Sequence, residues 1–165
     1  PELQKQLVWS KKSRKAIRAF LRRWRMKPPK DLDQQFRVAH NAAFERINCL
    51  DCGNCCKTTS PVFKRRDITR IAKSLRMKIS AFSAQYLRMD EEGDWVLQTA
   101  PCPFLQLDDN TCGIYDHRPQ ACNEYPHTNR KSMSGVLNLT EQNAQICPAV
   151  SRIIQGFMSA AEVRK

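Results

Sequence analysis

Eight cysteines in 165 residues are the part of this sequence best equipped for chemistry. Cys49, Cys52 and Cys55 stand in C-x2-C-x2-C spacing, and Cys56 follows directly. Such spacing lets one tight segment aim three sulfurs at a common point. Gly53 and Asn54 are turn formers, so the cluster is expected in a loop. Cys102, Cys112, Cys122 and Cys147 come singly. The triad with a remote Cys-Pro is the ligand run of bacterial ferredoxins, and Cys102-Pro103 and Cys147-Pro148 supply two such dipeptides. Zinc also uses C-x2-C, usually as two separated pairs, whereas only one such run is present here. All eight cysteines are candidate metal ligands, for zinc or iron, as single ions or an iron–sulfur cluster.

Neighbouring side chains usually diverge, so Cys55 and Cys56 are not expected to chelate one tetrahedral ion together. One should serve the main site and the other a second site or a packing role. Four thiolates on one Zn²⁺ leave a formal charge of about −2, which nearby cations or N–H donors would offset. Arg118 is the first candidate for that role, with the amides around Gly53.

Other uses of the cysteines compete with metal binding. Four disulfides would need an oxidising compartment. No secretory signal is visible, because Leu7-Val8-Trp9 is far too short for its apolar core, and no stretch approaches the ~20 apolar residues of a membrane span. The expectation is therefore a cytoplasmic protein with reduced thiols. A nucleophilic Cys122 activated by His117 or His127 is a third reading. His127 could complete a metal site, while His40 sits within a predicted helix and reads as a packed or surface residue.

The elements that must position these thiols follow from periodicity. A basic helix is predicted over Leu3–Met26, with Ile17, Phe20, Leu21 and Trp24 on one face and Pro28-Pro29 at its end. Residues 1–30 carry eleven Lys or Arg against one acid, whereas 31–165 carry 17 against 15. The division expected is thus a basic arm at 1–30 and a cysteine-cluster domain at 31–165. A helix capped near Asp31 or Asp33 should run into the first cysteines. Asp67 and Ser80 read as N-caps of two more helices, the second carrying Phe82, Tyr86 and Leu87. Trp95-Val96-Leu97 reads as a short strand, and 105–107 should pair with 112–115 across the turn at Asp108-Asp109-Asn110. Pro119 suits the first turn of a small helix through Cys122, and a last helix should begin near Pro148. The fold class expected is α+β, mainly helical, with a short β-hairpin.

Taken in order, Cys49–Cys56, Cys102-Pro103-Phe104-Leu105, Cys112-x-Ile114-Tyr115, Arg118-Pro119-x-x-Cys122, Tyr125-Pro126 and Cys147-Pro148 resemble the YkgJ-type cysteine-cluster family, described as chelating zinc or iron. The resemblance covers roughly residues 45–150 and implies metal chelation by the cysteines. It departs at Asn123, where the family usually places Arg. A related cluster occurs in flagellin lysine methylases, but no Gly-rich turn for a methyl donor is present here.

The function expected is a metal-stabilised interaction module. Its basic N-terminal helix, through Lys15, Arg18, Arg22, Arg23, Arg25 and Trp24, would dock on a larger protein or ribonucleoprotein assembly. Peripheral contact with an anionic membrane is a weaker version. The alternative is an iron–sulfur redox or protein-modifying enzyme. The carboxylate pairs Glu91-Glu92 and Asp108-Asp109 read as solvated turns, not acid–base machinery.

Overall fold

The computed structural model describes residues 2–163. In chain order the elements are α1 (Glu2–Lys12), α2 (Arg14–Met26), α3 (Leu32–Phe44), α4 (Cys49–Cys52), α5 (Asn54–Thr58), α6 (Arg65–Ser74), α7 (Ile79–Tyr86), β1 (Leu87–Met89), β2 (Trp95–Leu97), α8 (Gln120–Glu124), α9 (Leu137–Asn143) and α10 (Pro148–Val163), with 3-10 turns at Tyr115–His117 and Met133–Val136. The class is α+β and mainly helical, as the sequence indicates. The chain forms two compact units: one built from the segment through Asn48 together with everything from Pro126 onward, the other from Cys49–Tyr125.

The first unit is all helical. Its core gathers Ile17, Phe20 and Leu21 from α2, Leu32, Phe36 and Ala43 from α3, Leu137 from α9, and Val150, Ile153 and Ile154 from α10. The apolar stripe read from α2 is thus the stripe that is buried. Trp24 packs between Phe20 and Phe157, with ring centroids 4.6 and 5.1 Å away. Polar bonds dock α1 as well: Ser151 Oγ donates to the Gln6 carbonyl at 2.7 Å, and buried Ser10 donates to the Ala144 carbonyl. These contacts correct two expectations. The basic segment breaks at Ser13 into two helices, and it is a structural part of the first unit rather than an arm separated near residue 30. Asp31 and Asp33 do flank the start of α3, but Asp33 spends its carboxylate elsewhere, accepting the amides of Ser132 and Met133 at 2.7 and 2.8 Å.

The second unit holds a smaller core of Phe63, Ile68, Ile71, Ala72, Phe82, Leu87, Leu97, Phe104 and Ile114. β1 and β2 pair antiparallel with Leu87 opposite Leu97. Leu87 therefore opens a strand rather than continuing α7, whose cap position is Lys78, not Ser80. The hairpin expected between 105–107 and 112–115 shrinks to one antiparallel bridge, Leu105 with Cys112. The turn between them explains why: Asp109 captures both the amide and the hydroxyl of Thr111, and Asn110 takes a left-handed φ of 58°. Asp67 lies three residues inside α6 and reaches back to accept the Lys64 amide at 3.0 Å, so it caps α6 from within the first turn.

Candidate metal centre

The first four cysteines do not lie in an irregular loop. They sit on two short helical turns, α4 and α5, joined at Gly53. Gly53 has φ +56°, and its amide donates to the Cys49 carbonyl at 2.8 Å. A left-handed φ favours glycine, and space requires it too: a Cβ here would stand 2.7 Å from Asn110 Oδ1. Asn110 in turn donates through Nδ2 to the Leu50 carbonyl at 2.7 Å. The turn at 108–110 is thereby clamped onto the cysteine turn.

Main-chain bonds bring up the later cysteines. The Cys102 amide donates to the Cys56 carbonyl at 2.8 Å, and the Leu105 amide closes a turn on the Cys102 carbonyl at 3.0 Å. The Leu105–Cys112 bridge, with the Gly113 amide on the Phe104 carbonyl at 2.8 Å, sets Cys112 beside that turn. From Cys112 the 3-10 turn leads to Arg118-Pro119 and then to Cys122 on α8.

The electrostatics show which thiols share surroundings. Burial pushes Cys122 up to about 12, and the proximity of Cys56, Cys102 and Cys112 pushes the same way. Burial likewise raises Cys102 to about 11, with Cys56 and Cys112 adding to it against opposing backbone amides. Cys112 is raised by burial first and by Cys56 as well. Cys56 runs the other way, down to about 7, chiefly through a hydrogen bond from Cys55, whose sulfur is 3.9 Å away, and with help from Lys57. Cys49 is solvent-exposed, yet the crowded chain around its thiol raises it, and Cys52 and Cys56 contribute. The partly buried sulfurs of Cys56, Cys102, Cys112 and Cys122 thus influence one another, and a lone thiolate among them would be costly. A thiophilic cation removes that cost by compensating the thiolates, so the donor set fits zinc or iron. Among the described residues no three Cys, His, Asp or Glu side chains are already gathered at a common point that could hold an ion.

Arg118 acts on two of these thiols. Its guanidinium lies 3.9 Å from the Tyr115 ring centroid, donates to the Tyr115 carbonyl at 2.8 Å, and favours the thiolate forms of Cys112 and Cys122. Asn123, the residue at which the sequence departs from the family it resembles, accepts from Arg118 Nη2 at 2.7 Å and so holds that side chain. Lys57 was not singled out from the sequence, because a lone lysine after Cys56 has no spacing signature. It favours the Cys56 thiolate and donates to the Cys52 carbonyl at 3.4 Å. Asn110 was read only as a turn former.

The remaining candidates lie elsewhere. Cys147 belongs to the first unit, ahead of α10, where its amide donates to the Asn143 carbonyl at 2.7 Å and its side chain packs on that unit's core. His40 is not grouped with any cysteine: Nδ1 is 2.8 Å from Thr128 Oγ1 and its ring packs on Phe44. Of the basic residues, Lys15, Arg22 and Arg23 are exposed, while Arg18 and Arg25 hold the Glu141 carboxylate at 2.8 and 3.1 Å. Trp24, expected to face a partner, is committed to the aromatic core.

A family model for CxxCxxCC, described as "Putative zinc- or iron-chelating domain", matches residues 48–148. The chain belongs to the CxxCxxCC family. No curated protein and no solved structure matches it. The CxxCxxCC match covers the whole second unit and ends at Cys147-Pro148. Most of the N-terminal helices lie outside it. Among the described residues no helix is long and apolar enough to cross a membrane.

Proposed function

We propose that this protein chelates zinc or iron through its second unit. In this reading Cys56, Cys102, Cys112 and Cys122 form one ligand set, and Cys49, Cys52 and Cys55 belong to a second set or complete a cluster with the first. The observation that carries the assignment is the partly buried surroundings of the four sulfurs, in which Cys56 raises Cys102, Cys112 and Cys122, and Cys102 and Cys112 add to the rise at Cys122. A bound cation would be held by these cysteines as thiolates. Arg118 and Lys57 offset part of the resulting negative charge. A bound zinc ion would supply a structural cross-link, and an iron–sulfur cluster would supply one-electron exchange. The reducing cytoplasm is the compartment that keeps such thiols available. Cys147 stays a candidate on sequence grounds alone.

The second reading, an iron–sulfur redox or protein-modifying enzyme, is favoured by one feature. Cys49, Cys52 and Cys55 recur every third residue across a single pair of helical turns, as in ferredoxin ligand runs. Anaerobic purification followed by metal analysis and a visible spectrum separates the two. Colourless protein with stoichiometric zinc supports the structural role. Brown protein with iron and sulfide, bleached by oxygen, supports the second. Protein that retains neither metal, and takes up neither on addition, refutes both.

The partner is the other half of the proposal. Because Ile17, Phe20 and Leu21 are buried and Trp24 is packed, the α2 surface left to solvent is cationic: Lys15, Arg22 and Arg23. A polyanion such as the phosphate backbone of a ribonucleoprotein suits this surface better than a bilayer, which needs an available apolar face. Binding of the full chain to an RNA duplex should weaken steeply between 50 and 200 mM salt, a loss on the order of tenfold or more. The triple variant Lys15→Glu, Arg22→Glu, Arg23→Glu should abolish it. Undiminished binding by that variant would refute the assignment. Selective uptake on anionic vesicles instead would point to a membrane.

A further inference from the structure

We infer that Asp67 and Arg70 are positioning residues for the metal centre, holding the Arg118-Pro119-Gln120 segment so that Cys122 faces the other three thiols. The inference rests on the metal reading above. Asp67 is only 2% exposed. A carboxylate so buried is costly unless its oxygens are satisfied. Oδ2 accepts the Lys64 amide at 3.0 Å, the ordinary helix-capping bond. Oδ1 does something capping does not need. It accepts Arg70 Nη2 at 2.7 Å and the Gln120 amide at 3.2 Å.

Arg70 extends the grip. The same Nη2 donates to the Arg118 carbonyl at 2.9 Å. One ion pair therefore fixes both a carbonyl and an amide on either side of Pro119, a residue with no N–H of its own. Lys64 Nζ adds a bond to Gln120 Oε1 at 3.0 Å. Cys122 follows two residues later on α8, a helix of five residues. A helix that short is not stable alone, so its direction comes from whatever holds its start. Asp67 and Arg70 hold it from α6, whose Ile68, Ile71 and Ala72 are anchored in the core. Their bonds across to this segment go to the Arg118 carbonyl and the Gln120 amide, so they act through the backbone.

The test loads the full chain anaerobically with Zn(II) and measures alkylation of each cysteine by peptide mapping, with Co(II) absorption as a second readout. Asp67→Asn removes the ion pair. Arg70→Gln leaves the capping bond intact, and so keeps the assay readable if the first variant folds poorly. Arg70→Lys retains the charge. The expected result is selective: alkylation of Cys122 rises by about tenfold or more in Asp67→Asn and Arg70→Gln, Cys102 and Cys112 stay protected, and the cobalt–thiolate band weakens. Arg70→Lys restores part of the protection. Equal protection of Cys122 in all variants overturns the inference and leaves the metal reading standing. A uniform rise at all four thiols also overturns it, because it marks loss of fold. If the unaltered chain protects no cysteine with either metal, the metal reading falls, and this inference with it.

Discussion

The two units are held by different means. In the first, long helices bury a continuous apolar cluster, and Ser10 and Ser151 bond across helices. In the second, the cysteines ride on helices of four or five residues and on a single-bridge turn. Segments of that length gain little from propensity or ladder bonds. Their arrangement depends on Gly53, Asn110, Asp67 and the thiols themselves. A core of packed carbon keeps its shape without help, whereas an assembly of short turns needs a cross-link. Seven of the eight cysteines belong to the second unit.

Metal removal should separate the two units most. Chelation at neutral pH, followed by hydrogen exchange resolved along the chain, should strip protection from α4, α5 and α8 by several kcal/mol, since structural zinc in small domains can supply about 10 kcal/mol or more. Protection in α3 and α10 should hardly change. Equal loss in both units would show that they do not differ in what holds them.

The converse substitution comes next. Phe36 is fully buried, with its ring 5.0 Å from that of Phe157. Phe36→Ala should cost about 3–5 kcal/mol through lost burial and a residual cavity. That cost should show in thermal unfolding, while the metal bound per folded molecule stays the same. A drop in metal content among folded molecules would mean that the first unit shapes the ligand set.

What was legible in the sequence follows the same divide. Periodicity identified the buried stripe of α2 and the start of α10 at Pro148, because long amphipathic helices repeat their signal over several turns. The cysteine turns offered no such repetition. Gly53-Asn54 reads as a loop, yet two helical turns meet there, and a four-residue helix is beyond the reach of periodicity. The Leu105–Cys112 pairing was expected in the right direction but as a longer hairpin, because the side-chain capture at Asp109 cannot be seen in a hydrophobic pattern. Asp67 reads as the N-cap of α6, but the cap is Lys64 and Asp67 stands in the first turn, and its second role depends on Gln120, 53 residues away. The basic segment misled for a different reason. Charge is visible in a sequence while the destination of an apolar face is not, so a core helix looked like an arm.

A smaller effect would sharpen the account of the cysteine turn. Gly53→Ala places a methyl against Asn110 Oδ1 and forces a non-glycine residue to φ +56°. The backbone alone should cost about 1–2 kcal/mol, and Asn110 must swing aside and release the Leu50 carbonyl. Metal affinity measured by chelator competition should fall together with stability. The double variant with Asn110→Ala, which removes the obstructing side chain, should recover only the steric part. Full recovery would show that the left-handed backbone carries no cost there.

The smallest expected effect belongs to the first unit and depends on pH. The amides of Met133 and Ser132 hold the Asp33 carboxyl below its usual range, with Arg37 nearby helping. A carboxyl depressed in the folded state binds its proton more readily when unfolded. Its stabilising contribution is therefore present above the unfolded value, near 4, and is lost as pH falls through the lower folded value. Asp33 is partly open to water, so screening keeps the contribution to about 1 kcal/mol or less. Asp33→Asn should lower stability slightly at pH 7 and flatten the decline below pH 4, as read from denaturant midpoints. The change should appear in exchange from α3 and the Met133–Val136 turn, with the alkylation pattern of metal-loaded cysteines unaltered. An unchanged acid slope would mean that those two amides bond equally well to the protonated carboxyl.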